Sequence, residues 1–279
     1  MTFGSPASRF RALHERPGIF VMPNPWDAGT AKLLADLGFE AIATSSAALA
    51  WTRARPDALG GVTRDDAISH ARLLAEAAGL PVNGDFESGY GDTPAEVADT
   101  VRRAIDAGVA GCSIEDQDQR GGGLYSLDEA LRRFSAAKEA AIRSGADFVL
   151  TGRCEIFFQS HHDPLGEAIR RLQAFEAAGA DVVYAPGLTQ EAEVRAVVEA
   201  VNVPVNVIGG LGGVSNDIAA LERLGVKRVS IGSGLAKVAL GAFLKAAQAL
   251  AGRRFAFEGA AASSTLNGAF ATGRDNQDD

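Results

Sequence analysis

The sequence predicts an α/β protein built as a closed (β/α)8 barrel, and three observations lead there. Short apolar or β-branched runs alternate with longer stretches of helical period along almost the whole chain. Five of the helical stretches close on a glycine just past their last apolar residue: Gly38, Gly79, Gly108, Gly145 and Gly179. The first strand runs into "PNPWDAGT" rather than the GxGxxG turn with which an open dinucleotide-binding sheet announces itself.

Taken in order, the strands are expected at 19–24 (IFVMPN), 40–45 (EAIATS), 81–86 (PVNGDF) and 110–115 (AGCSIE). Four more follow at 148–153 (FVLTGR), 181–186 (DVVYAP), 204–209 (PVNVIG) and 228–233 (RVSIGS). Helical patterns separate them, among them 28–38, 94–108, 127–145 and 165–179. The segment 46–62 is longer than a usual connection and reads as a flap over the barrel mouth. One barrel domain is expected over 1–250. Residues 251–279, small, polar and acidic towards their end, read as a disordered or partner-docking tail.

Composition excludes several functions. The 279 residues are 47% hydrophobic and 22% charged, with a net charge of −8, so nothing invites nucleic acid. No apolar run was expected to reach the ~18 residues of a membrane span, and the N-terminus lacks a signal-peptide core. Two cysteines form neither a disulfide framework nor a CxxC zinc site, which leaves a cytoplasmic protein as the expectation.

In a barrel the site lies at the C-terminal ends of the strands. Strand alternation places Asn83, Asp85 and Glu87 of "PVNGDFESGYGD" on one face, turned into the barrel mouth. Two carboxylates that close call for a cation, and oxygen ligands suit Mg²⁺ or Mn²⁺. Glu115 joins them from the fourth strand, and the fifth offers Arg153 and Glu155 around an outward-facing Cys154. Thr44, Ser45, Ser46 and Ala47 supply hydroxyls and N–H groups for an anion, and Asn206 sits between two valines on the seventh strand. No lysine falls at a strand's C-terminal end, so a Schiff-base aldolase is disfavoured. The glycines of "IGGLGGVS" admit a phosphate-handling barrel as a rival, and the pair His161-His162 reads as surface.

"DFESGYG", then "GCSIEDQ" about 28 residues on, then "GRCE", together resemble the isocitrate lyase/phosphoenolpyruvate mutase superfamily over about residues 18–240. The resemblance implies a (β/α)8 barrel forming homodimers or homotetramers, with the last helix exchanged between subunits. It implies that Asp85 binds Mg²⁺ directly while Glu87 and Glu115 hold metal-bound waters. Ser45, with the N–H groups of Ser46 and Ala47, would bind a substrate carboxylate, Arg153 would hold its oxygens and Asn206 would contact it. Asp57 takes the place of a loop aspartate that closes over the metal.

Both familiar catalytic sets are missing. The lyases' K-[KR]-C-G-H is replaced by "DQRGGGLYS", Gln117 stands where the mutases have the lysine of E-D-K, and "YAPG" at Tyr184–Gly187 replaces their H-S-K. The expected function is therefore a Mg²⁺-dependent lyase or decarboxylase. It would cleave a C–C bond in a small 2-oxo or 2-hydroxy (di)carboxylic acid through an enolate, with Tyr184, Glu155 or a metal-bound water moving the proton. P–C chemistry of the mutase or phosphonopyruvate hydrolase kind, and non-catalytic oxyacid binding, are the alternatives.

Overall fold

The computed structural model describes residues 4–57, 60–118 and 120–271. Eight parallel strands, β1 (Phe20–Met22), β2 (Ile42–Ala43), β3 (Val82–Asp85), β4 (Gly111–Glu115), β5 (Val149–Arg153), β6 (Val182–Tyr184), β7 (Val205–Ile208) and β8 (Arg228–Ser230), pair in the order β1-β8-β7-β6-β5-β4-β3-β2. The seam between β1 and β2 is bridged where the Ala43 N–H donates to the Pro23 carbonyl at 3.0 Å. Asn24 ties the same corner, donating to the Thr44 carbonyl and accepting from the Ile231 N–H. The result is the expected barrel, nearly closed.

The helices form because each pairs a cap with an apolar stripe. Around the barrel stand α2 (Ala28–Asp36), α4 (Arg64–Ala78), α5 (Pro94–Asp106), α6 (Leu127–Ser144), α7 (Pro164–Ala177) and α8 (Glu191–Ala200), with the short α9 (Ile218–Arg223) beyond. Thr63 and Thr93 cap α4 and α5 with reciprocal capping boxes, fixing where each helix starts. All five expected closing glycines have left-handed backbone, for example φ +63° at Gly79 and +91° at Gly179. Between strands and helices lies one apolar layer holding Leu74, Val97, Phe134, Leu172, Phe175 and Cys154. Gly152 is required there, since a Cβ on β5 would come within 2.6 Å of Phe175.

The N-terminal end of the barrel is stoppered by α1 (Pro6–Glu15), whose Phe10 and Leu13 pack with Phe20, Met22, Val149 and Val182.

Three expectations need correction. The segment 46–62 is not loop throughout: its first half is a helix, α3 (Ser46–Thr52), because Ser45 caps a run of alanines and leucine. The 251–279 tail is not structureless where it is described, since α11 (Ser263–Ala271) lies on α2 and buries Ala269; residues 272–279 fall outside the described residues. And α10 (Gly234–Ala251), with mean hydropathy 1.3 over 18 residues, is long and apolar enough to cross a membrane by length and composition, because alanine and glycine fill the gaps between its leucines and phenylalanines.

Candidate active site

A cavity of about 650 Å³ opens at the C-terminal ends of the strands, lined by residues of almost every one. At its centre is Arg153, the last residue of β5. Its Nη1 lies 3.0 Å from Asp85 Oδ1 and 3.4 Å from Glu115 Oε2, while its Nε donates to Glu155. The parallel register puts Glu115 beside Arg153, and Arg153 beside Tyr184, whose ring the guanidinium faces at 5.3 Å. Three acids around one guanidinium leave excess negative charge. Burial accordingly pushes the carboxyls of Glu115 and Glu155 above the usual range, against the pull of Arg153.

Asp85, at the end of β3, is held from two sides: Arg153 on one oxygen and the Ser46 N–H, 3.0 Å away, on the other. Glu87 lines the same cavity, but not by strand alternation as expected. The strand stops at Asp85, and Glu87 sits in a turn with φ +47°, a conformation that non-glycine residues seldom adopt. Burial, then Asp85 and Asp57, push its carboxyl up to about 7. Asp57 also reaches the cavity, and burial raises its carboxyl too.

Ser45, Ser46 and Ala47 line the wall formed by α3. The Ser45 hydroxyl accepts from the Ala48 N–H at 3.3 Å, so it caps the helix as well as facing the cavity. Asn206 and Tyr184 form the floor, both almost fully buried. Burial raises the Tyr184 hydroxyl, so it is kept protonated at neutral pH. Cys154 is not among the lining residues; it faces Asp116 in the layer beneath the helices, as alternation requires.

The donor set suits a hard divalent cation: Asp85, Glu87 and Glu115 are oxygen donors in one cavity, and burial, then its acidic neighbours, raise Glu87. Among the described residues no three such side chains converge closely enough to ligate an ion together.

Several functional residues escaped sequence reasoning. Arg133 projects from the buried face of α6, and its guanidinium donates to the carbonyls of Ser88, Gly91 and Asp92 at 2.9, 2.5 and 3.2 Å, fixing the turn that follows Glu87. A cation on an apolar helical stripe was the available signal. Asp116, fully buried, accepts from the Glu155 N–H at 2.8 Å and pairs with Arg171 at 3.1 Å, thereby holding Glu155 in place. Lys237, in the first turn of α10, lines the cavity near Trp51, so a lysine does reach the site, from a helix and not a strand end. Ser230 and Arg228 complete the floor. The glycine loop after β7 offers little to a phosphate, because the N–H groups of Leu211 and Gly212 are taken by Ser215 Oγ and Asn216 Oδ1.

Comparison with known proteins agrees with this geometry. Residues 10–251 match the family model described as phosphoenolpyruvate phosphomutase. The 2-methylisocitrate lyase of Bacillus subtilis (strain 168) is 32% identical over 206 residues, 71% of this chain and 65% of that one, so the chain spans slightly under two thirds of that relative's length. A structure from Burkholderia cenocepacia J2315, named only as a lyase/mutase, is 47% identical with a TM-score of 0.91, covering 96% of both chains. Oxaloacetate acetylhydrolase in complex with its product oxalate is 25% identical with a TM-score of 0.86, covering 96% of this chain and 94% of that one. The chain belongs to the phosphoenolpyruvate mutase/isocitrate lyase superfamily.

Proposed function

We propose that the chain is a Mg²⁺- or Mn²⁺-dependent lyase or decarboxylase that breaks the C–C bond next to the carbonyl or hydroxyl carbon of a small 2-oxo or 2-hydroxy (di)carboxylic acid. The observation that carries this reading is Arg153, buried in a ring of Asp85, Glu115 and Glu155 at the mouth of the barrel. A fixed guanidinium beside acidic metal-ligand candidates is what a chelating oxyacid needs. Relatives named for cleavage of methylisocitrate and for hydrolysis of oxaloacetate point the same way.

In this reading Asp85 would hold the cation directly, with Glu87 and Glu115 holding its waters, and the cation would polarise the substrate's oxygens as a Lewis acid. The chain's own groups do the rest. Ser45 and the N–H of Ala47 seat one carboxylate, the Ser46 N–H expected beside them being taken by Asp85 Oδ2, and Arg153 faces the oxygen on which charge develops as the bond breaks. Asp57, from the loop after α3, borders the entrance. Tyr184 and Glu155 both lie against Arg153, burial raises the proton affinity of each, and either is placed to move the proton to the carbon left behind. The test is a screen of 2-oxo and 2-hydroxy acids with and without Mg²⁺. Turnover of at least one, abolished by exhaustive chelation, is the expected result; turnover that survives EDTA would remove the metal.

The same reading makes the protein a cytoplasmic homo-oligomer. Its support is α10, which exposes Val238, Phe243 and Leu244 at 72%, 67% and 55%. Apolar side chains exposed around so much of one helix are suited to a second copy of the chain. Light scattering should give a dimer or tetramer, and a Val238→Glu/Phe243→Glu double variant should give monomers. A wild-type monomer, or sedimentation of the protein with lipid vesicles, would oppose it.

A further inference from the structure

Arg228 opens strand β8 and is 1% exposed, and among the described residues no carboxylate pairs with it. An isolated buried cation is expensive, and here it is tolerated through neutral acceptors. Its Nε donates to Asn206 Oδ1 at 2.8 Å, its Nη2 to Thr151 Oγ1 at 3.0 Å, and its Nη1 to His14 Nε2 at 3.3 Å. The His14 ring is fixed as an acceptor there because its Nδ1 faces the Phe10 carbonyl at 2.8 Å and can only donate to it.

This arrangement has a direction. A guanidinium has no acceptor, so Asn206 must turn its oxygen to Arg228 and its NH₂ away from it. One N–H of that group donates to Ser230 Oγ at 3.0 Å, and Ser230 in turn faces the Tyr184 hydroxyl. Donors therefore run one way from Arg228 through Asn206 to Ser230, which lies beside Tyr184. The second N–H of Asn206 is left for the cavity.

We propose that Arg228 is a positioning residue: it locks Asn206 so that the floor of the cavity presents a donor, never an acceptor, to the bound oxyacid. This rests on the oxyacid-binding function proposed above and adds what the floor favours, the anionic oxygen of a carboxylate or enolate, which accepts a donor's hydrogen bond most strongly. Arg228 borders the floor with its donors turned to Asn206, Thr151 and His14, so it acts through Asn206.

Two measurements test it. The first needs no ligand. Asn206→Asp puts a carboxylate of the same shape against the unpaired cation, so the melting temperature should hold or rise by roughly 2–4 °C. In an Arg228→Met background the same change should lower it, since the new acid is then buried alone. If Asn206→Asp destabilises both backgrounds equally, Arg228 is not directed at residue 206 and the lock is wrong. The second is calorimetric titration of oxalate with Mg²⁺. Arg228→Met should weaken oxalate roughly tenfold and Asn206→Asp by more than about a hundredfold. Phe10→Ala, which removes a ring packed on His14 but keeps the backbone carbonyl that orients His14 and leaves Arg228 and Asn206 in place, should stay within about twofold of wild type. Equal oxalate affinity in Arg228→Met and Phe10→Ala, at matched melting temperatures, would reduce Arg228 to a structural plug. A wild-type protein that binds no oxalate would instead overturn the oxyacid site itself, while the melting-temperature cycle still decides the lock.

Discussion

The two ends of the barrel solve opposite problems with the same strands. At the N-terminal end, α1 and the strand starts bury Phe10, Leu13, Phe20 and Val149, and the ionisable group that α1 buries there, His14, is held neutral. At the C-terminal end, Asp57, Asp85, Glu87, Glu115 and Glu155 crowd one cavity around Arg153. One end is mostly packing, with Arg228 a buried cation held by neutral acceptors, and the other gathers acids that packing alone would reject. Changes at the two ends should therefore separate stability from activity.

The largest effect belongs to the charged end. Asp85→Ala removes the proposed metal ligand, a partner of Arg153 and the acceptor of the Ser46 N–H, so activity should fall by at least about a thousandfold while the fold persists. Circular dichroism alongside turnover checks both halves. A folded Asp85→Ala protein with near-native turnover would break the contrast between the ends.

Packing comes next. Gly152→Ala drives a methyl into Phe175 at 2.6 Å, and overpacking of this kind costs about 1–3 kcal/mol. Denaturant melts should show that loss. Surviving protein should keep its substrate affinity, because the added methyl points to the helices.

His14 sharpens the comparison through pH. Burial first, then Arg228, lower its imidazole from 6.5 to about 3. A group depressed on folding stabilises above its unfolded pKa, and that stability is lost as pH falls from 6.5 towards 3. Between pH 7 and pH 5 the wild type should lose about 2 kcal/mol through this residue. His14→Gln, which does not titrate, should be flatter by that amount in melts at the two pH values. Parallel curves would place His14 in contact with solvent.

The smallest effect is expected of Cys154, although its place between Arg153 and Glu155 invites a catalytic reading. It is fully buried outside the cavity, so Cys154→Ala should cost roughly 1 kcal/mol and leave turnover within about twofold. An inactive but folded Cys154→Ala protein would contradict the inward and outward faces assigned to β5.

These contrasts also explain what could be read beforehand. The barrel was legible because alternating periods and closing glycines such as Gly79 and Gly179 are local signals, each with a local cause. Asp85, Glu115 and Arg153 were legible because strand ends have a known direction. Glu87 reached the right cavity by the wrong route, since alternation says nothing once the chain leaves the strand. Arg133, Asp116 and Arg228 were missed because their roles exist only through partners far along the chain: Arg133 grips Ser88, 45 residues away, and Arg228 meets His14 across 214. Helix α10 was misjudged because alanine and glycine dilute an apolar face that becomes visible only when the helix is seen uncovered.

The central claim is that the acidic end of the barrel binds a chelating oxyacid through a divalent cation and Arg153. Calorimetric titration of the wild-type protein with oxalate, in Mg²⁺ and again after exhaustive chelation, tests it most directly. The account predicts binding with Mg²⁺, none after EDTA, and recovery when Mg²⁺ is restored. Absence of oxalate binding in saturating Mg²⁺, or equal binding with and without the metal, would contradict it.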